Sequence, residues 1–86
     1  MIFKKKTWPE YFAMILSGQK TYDCRIADFD VSEGDTIIFE EYDPEKREYT
    51  GRTISKTISY VGKTKGWSFY DPKDVKKYGF VIMSLK

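Results

Sequence analysis

Histidine is absent from the 86 residues, and cysteine occurs once, at Cys24. A lone cysteine cannot close an intramolecular disulfide, and without histidine the common zinc sites and Cys-His catalysis are excluded. No metal or other cofactor is expected. No apolar run approaches the roughly 20 residues that a membrane-spanning helix needs. The opening Met1-Ile2-Phe3-Lys4-Lys5-Lys6 also lacks the basic-then-apolar order of a secretory signal. The expected location is the cytoplasm. The chain carries no repeat, low-complexity tract or interdomain linker, and its length suits one domain over 1–86 with a modest core.

Aromatic residues, by contrast, are plentiful at 17%, which suggests a core or a binding face built from rings. Charge is nearly balanced overall at +2 but is unevenly placed along the chain. Residues 28–48 hold nine acids against Lys46 and Arg47, a net of −7, which leaves +9 on the rest. If that asymmetry is spatial, a basic surface would suit a polyanion and the acidic stretch a basic protein partner.

The local patterns predict the following elements. Residues 2–6 read as an edge strand whose lysines discourage aggregation. Thr7 is placed to cap a helix, with Glu10 completing a capping box and Pro9 in the first turn. That helix runs to about residue 17, with Trp8, Tyr11, Phe12 and Ile15 on its core-facing stripe and Leu16 widening it. Trp8 is also placed to frame a pocket at the helix mouth. A loop follows over 26–33 with Phe29 or Val31 turned inward, then a turn at Glu33-Gly34-Asp35 and a strand over 36–42. Residues 43–48 form a polar hairpin loop, and 53–61 a strand with Ile54, Ile58 and Tyr60 on one face. Gly51 marks a bulge or bend on the way into it. Gly62-Lys63-Thr64-Lys65-Gly66 lacks the spacing of a P-loop and reads as a basic loop. A short helix over 72–77, capped by Asp71, precedes a last strand over 80–85 that is apolar on both faces and therefore central. The predicted core is Tyr11, Phe12, Ile15, Ile37, Phe39, Ile58, Val81 and Met83.

The chemistry concentrates in Ser17-Gly18-Gln19-Lys20-Thr21-Tyr22-Asp23-Cys24-Arg25. Gly18 closes the helix in the left-handed conformation, and Lys20 sits at the reversal. In the strand that follows, alternation puts Thr21, Asp23 and Arg25 on one face, and Tyr22 and Cys24 on the other. Cys24 is then read as a buried core residue. Asp23 and Arg25, two apart on one face, could equally form an ion pair that pins the corner.

The spacing Gly18-x-Lys20-x-x-Asp23-x-Arg25 resembles the GxKxxExR signature of the ASCH domain, with Asp23 where the signature prefers Glu. Trp8-Pro9-Glu10-Tyr11-Phe12, Glu33-Gly34-Asp35, Glu41-Tyr42-Asp43-Pro44, Tyr49-Thr50-Gly51-Arg52 and Tyr78-Gly79-Phe80-Val81-Ile82 extend the likeness to short bacterial and phage-borne members described as RNA-binding. The resemblance implies an α+β, mainly β fold: a small PUA-like β-barrel with one helix packed on it and a short helix before the last strand. The predicted element order suits such a partly open barrel. The resemblance also implies a ligand cleft between helix and barrel, lined by Lys20, Asp23 and Arg25.

Two functions from different classes follow. As a binding module for RNA or a nucleotide-like molecule, the chain would use Lys20, Asp23 and Arg25, with Trp8, Lys63 and Lys65 adding stacking and sequence-independent attraction. As an amidohydrolase, it would resemble ASCH proteins that deacetylate N4-acetylcytidine. The matching position is Lys20, Asp23 stands in place of their threonine, and their glutamate-bearing insertion is missing. Thr21 or Asp23 would then complete the chemistry. A protein-binding adaptor using the acidic stretch is the third reading.

Overall fold

Pro9 begins the helix at a position where its missing N–H costs nothing, and Gly18, at φ 83°, lets the chain reverse after the last turn. The computed structural model describes residues 1–64 and 79–86. The element order is β1 (Ile2–Thr7), α1 (Pro9–Leu16), β2 (Tyr22–Ile26), β3 (Thr36–Asp43), β4 (Glu48–Lys63) and β5 (Phe80–Leu85). The helix expected over 72–77 lies outside the described residues, as does Lys65. No helix among the described residues is long and apolar enough to cross a membrane.

The strands form a mixed five-stranded sheet in the order β1-β3-β4-β5-β2, with β1 parallel to β3 and every other pair antiparallel. This corrects the expected barrel. The sheet is open, and among the described residues β1 and β2 are its two edges. The physical reason lies in the gap between those edges, which a side chain occupies: Arg25 Nη2 donates to the Lys6 carbonyl at 3.2 Å. An arginine held there keeps the two backbones from the roughly 4.8 Å separation that a ladder requires.

One face of the sheet carries the core: Phe12 and Ile15 from α1, Val31 from the loop, and Ile37, Phe39, Ile58, Val81 and Met83 from the strands. Seven of the eight predicted core residues are there. Tyr11 is not; it is 48% exposed at the margin of the helix stripe. Tyr60 is also exposed, because the pairing with β5 shifts between Ile58 and Tyr60 and Val61 takes the inward position opposite Met83. Gly51 does mark a bulge: Thr50, Gly51 and Arg52 stand against the single Glu41, with Gly51 at φ 92°. Thr7 caps nothing. It ends β1, buried, and Trp8 takes the N-cap position without a side-chain hydrogen bond.

Asp30 meets Lys63 at 3.7 Å, and Asp43 accepts the amides of Glu45 and Lys46. Asp35 accepts the Met1 ammonium at 2.7 Å and the Ser32 amide at 2.9 Å. Those contacts, the ammonium's hydrogen bond first, hold the Asp35 carboxyl below its ordinary value.

Candidate ligand-binding cleft

Strand β2 carries polar residues on the face that its neighbours turn toward the core. Asp23 pairs with Met83 and Arg25 with Val81, both fully buried partners. Asp23 is therefore only 4% exposed, and Cys24, expected in the core, is exposed instead. A carboxylate in that position needs partners. Arg25 Nε donates to Asp23 Oδ2 at 2.5 Å, and Lys20 Nζ lies 3.8 Å from Oδ1. Arg25 Nη2 reaches across to the Lys6 carbonyl and, at 3.4 Å, to Thr7 Oγ1.

Lys20 is placed from two directions. Its amide donates to the Met14 carbonyl at 3.0 Å, tying the corner to the last helical turn. Its ammonium lies 5.1 Å from the Tyr11 ring centre and 5.2 Å from that of Tyr22, within cation–π range of both. Between these groups and the start of α1 opens a cleft of about 300 Å³, lined by Lys6, Thr7, Trp8, Tyr11, Lys20, Asp23, Cys24 and Arg25. That is the lower end of the volume range of small-molecule sites. Two cations, Lys20 and Arg25, meet one carboxylate there, so this group is net positive, while the Lys6 ammonium lies 4.1 Å from the Tyr42 ring centre, on the other face of β1. Trp8 and Tyr11 each leave about half their surface exposed beside it, 50% and 48%.

The model of a family described as a domain of unknown function (DUF3850) matches residues 2–85. The chain belongs to that family. No curated protein matches it. Among solved structures, it is similar to the crystal structure of hypothetical protein PH0355, with a TM-score of 0.68 at 20% identity over 100% of this chain and 98% of that one. A likeness at that identity concerns the fold alone.

In this DUF3850 chain the sequence-predicted residues divide into two groups. Lys20, Asp23, Arg25 and Trp8 come together in the cleft. Thr21 is exposed and outside the lining, and Lys63 is engaged by Asp30 away from it. Three lining residues depart from the sequence expectation: Thr7 does not cap the helix, and Tyr11 and Cys24 are not in the core. The signal for Tyr11 was its position at the edge of the helix stripe, where a ring with a polar tip sits half in water. For Cys24 it was the polar Thr21-x-Asp23-x-Arg25 face, which becomes the inner one when it closes a cleft.

Proposed function

We propose that this protein binds an unpaired nucleotide of RNA in the cleft between α1 and β2. The observation that carries this reading is the convergence of Lys20 and Arg25 with two half-exposed rings, Trp8 and Tyr11, around one buried carboxylate. Cations beside accessible aromatic faces match the two needs of a single-stranded nucleotide, neutralisation of phosphate and stacking of the base. In this reading Lys20 and Arg25 meet the phosphate, Trp8 and Tyr11 flank the base, and Asp23 fixes the cations without itself meeting the ligand. The ASCH-like spacing of Gly18, Lys20, Asp23 and Arg25 supports the same location.

Fluorescence anisotropy with a short single-stranded oligouridine tests the reading. Affinity should fall as salt rises, with a logarithmic slope of about −1.4 for two phosphate contacts. Lys20→Ala should weaken binding about tenfold while leaving the melt nearly unchanged. Salt-independent binding, or full affinity in Lys20→Ala, would sink it. Incubation with N4-acetylcytidine should release no cytidine, because the Asp23 carboxylate, paired with Lys20 and Arg25, stands where those hydrolases have a neutral hydroxyl. Release lost in Lys20→Ala would assign the cleft to amide hydrolysis instead.

A further inference from the structure

Cys24 lines the cleft although its side chain belongs to the opposite face of β2, with Tyr22 and Ile26. The ladder explains how. The Leu85 amide donates to the Thr21 carbonyl at 2.9 Å, and the Ala27 amide to the Gly79 carbonyl at 3.2 Å. In the antiparallel register these are the pairs 21–85 and 27–79, so residues 21, 23, 25 and 27 turn their N–H and C=O toward β5. Residues 22, 24 and 26 turn theirs the other way. On that side β2 has no neighbouring strand among the described residues, where it ends the sheet. The groups that Cys24 presents to the cleft are thus its main-chain N–H and C=O, one donor beside one acceptor on a free edge.

Resting on the nucleotide reading above, we infer that the Cys24 main chain recognises the Watson–Crick edge of the bound base. An unpaired base presents there an adjacent donor and acceptor in one plane, the complement of a single extended residue. The rival occupant of a free edge is an added peptide strand, which needs several consecutive residues of open edge. Here the edge is interrupted. Arg25 crosses from β2 to the Lys6 carbonyl of β1 immediately beside Cys24, so the gap admits a ring that pairs with one residue but not a strand running past it. The half-exposed Trp8 and Tyr11 rings at the same cleft supply a stacking surface for such a ring.

The test is an NMR titration of the ¹⁵N-labelled full chain with uridine and guanosine 5′-monophosphates. Each is compared with a form methylated on the pairing edge, N3-methyluridine and N1-methylguanosine monophosphate, and 5-methyluridine monophosphate serves as the off-edge control. At least one unmodified nucleotide should bind and shift the Cys24 amide proton. Its edge-methylated form should bind about tenfold or more weakly, since a hydrogen bond is lost and the main-chain group is left without a partner. The 5-methyl form should bind like uridine monophosphate. On the protein side, Cys24→Ala keeps both main-chain groups and serves as the reference for Cys24→Pro. Cys24→Pro removes the N–H at an edge position that makes no ladder bond, where proline is tolerated, and should lose about tenfold. Equal affinity for the edge-methylated forms would overturn the inference while leaving the nucleotide reading in place, and so would equal affinity of folded Cys24→Pro and Cys24→Ala. Absence of binding by every nucleotide would overturn both. The ligand arm decides the matter should Cys24→Pro fail to fold.

Discussion

Two buried carboxylates, Asp23 and Glu41, receive similar partners and end in different surroundings. Each has an arginine two β-strand positions or a bulge away, and each arginine is linked in turn to a threonine. Glu41 Oε1 accepts Thr50 Oγ1 at 2.7 Å and meets Arg52 Nε at 3.2 Å, while Arg52 lies 4.9 Å from the centre of the Phe12 ring. That group sits within the β3–β4 bulge, with one cation for one anion. Asp23 has two cations, Lys20 and Arg25, and opens on the cleft lined also by Lys6, Trp8 and Tyr11. A buried acid alone is thus no sign of a site. The surplus of positive charge and the accessible rings set the cleft apart.

The largest effect should come from Phe12, which belongs to the core and carries Arg52 over its ring. Phe12→Ala should cost about 3 to 5 kcal/mol in chemical denaturation, enough to threaten the fold. A melt equal to wild type would contradict the placement of α1.

The paired substitutions Arg25→Ala and Arg52→Ala set the two carboxylates directly against each other. Arg25→Ala strips Asp23 of its shortest contact and releases the edge of β1, so it should destabilise by about 1 to 3 kcal/mol and also weaken oligouridine binding. Arg52 is more exposed and Thr50 remains for Glu41, so Arg52→Ala should cost about 1 kcal/mol and leave binding unchanged. Loss of binding in Arg52→Ala would erase the distinction between the two sites.

Gly51→Ala probes the bulge that makes the Glu41 group possible. An added Cβ would meet nothing within 4 Å, so its cost is the φ of 92° alone. About 1 kcal/mol is expected, again with no change in binding.

A third acid, Asp35, supplies the smallest effect. Its carboxyl titrates below its ordinary value when folded, so the stability it contributes is complete above the unfolded pKa and is lost as pH falls through the folded one. Asp35→Asn should lower stability slightly at neutral pH and flatten the acid end of a stability-against-pH curve, where the wild type has already lost this contribution. An unchanged acid limb would show that the Met1 ammonium does not hold this group in solution.

Much of the scaffold was legible because it obeys periodicity. Phe12 and Ile15 follow the helical stripe, Ile37 and Phe39 the strand alternation, and Gly18 and Gly51 mark backbone that L side chains rarely adopt. The pairing of faces on β2 was legible too, since alternation binds Asp23 to Arg25 and Tyr22 to Cys24 whatever the fold. Which face turned inward was not. Alternation carries no sign, and the usual rule that apolar residues go inside fails where two cations compensate a carboxylate.

By itself, then, the sequence determined the order of the described elements, seven core positions and the grouping of Lys20, Asp23 and Arg25, because these depend on neighbours a few residues apart. Tertiary structure decided that the sheet stays open, that Cys24 shows its main chain to the cleft, and that Tyr11 and the Lys6 carbonyl join the same site. Each of those outcomes rests on residues far apart in the chain, above all on Arg25 reaching the Lys6 carbonyl 19 positions away. Contacts of that range follow only from how strands are ordered in space.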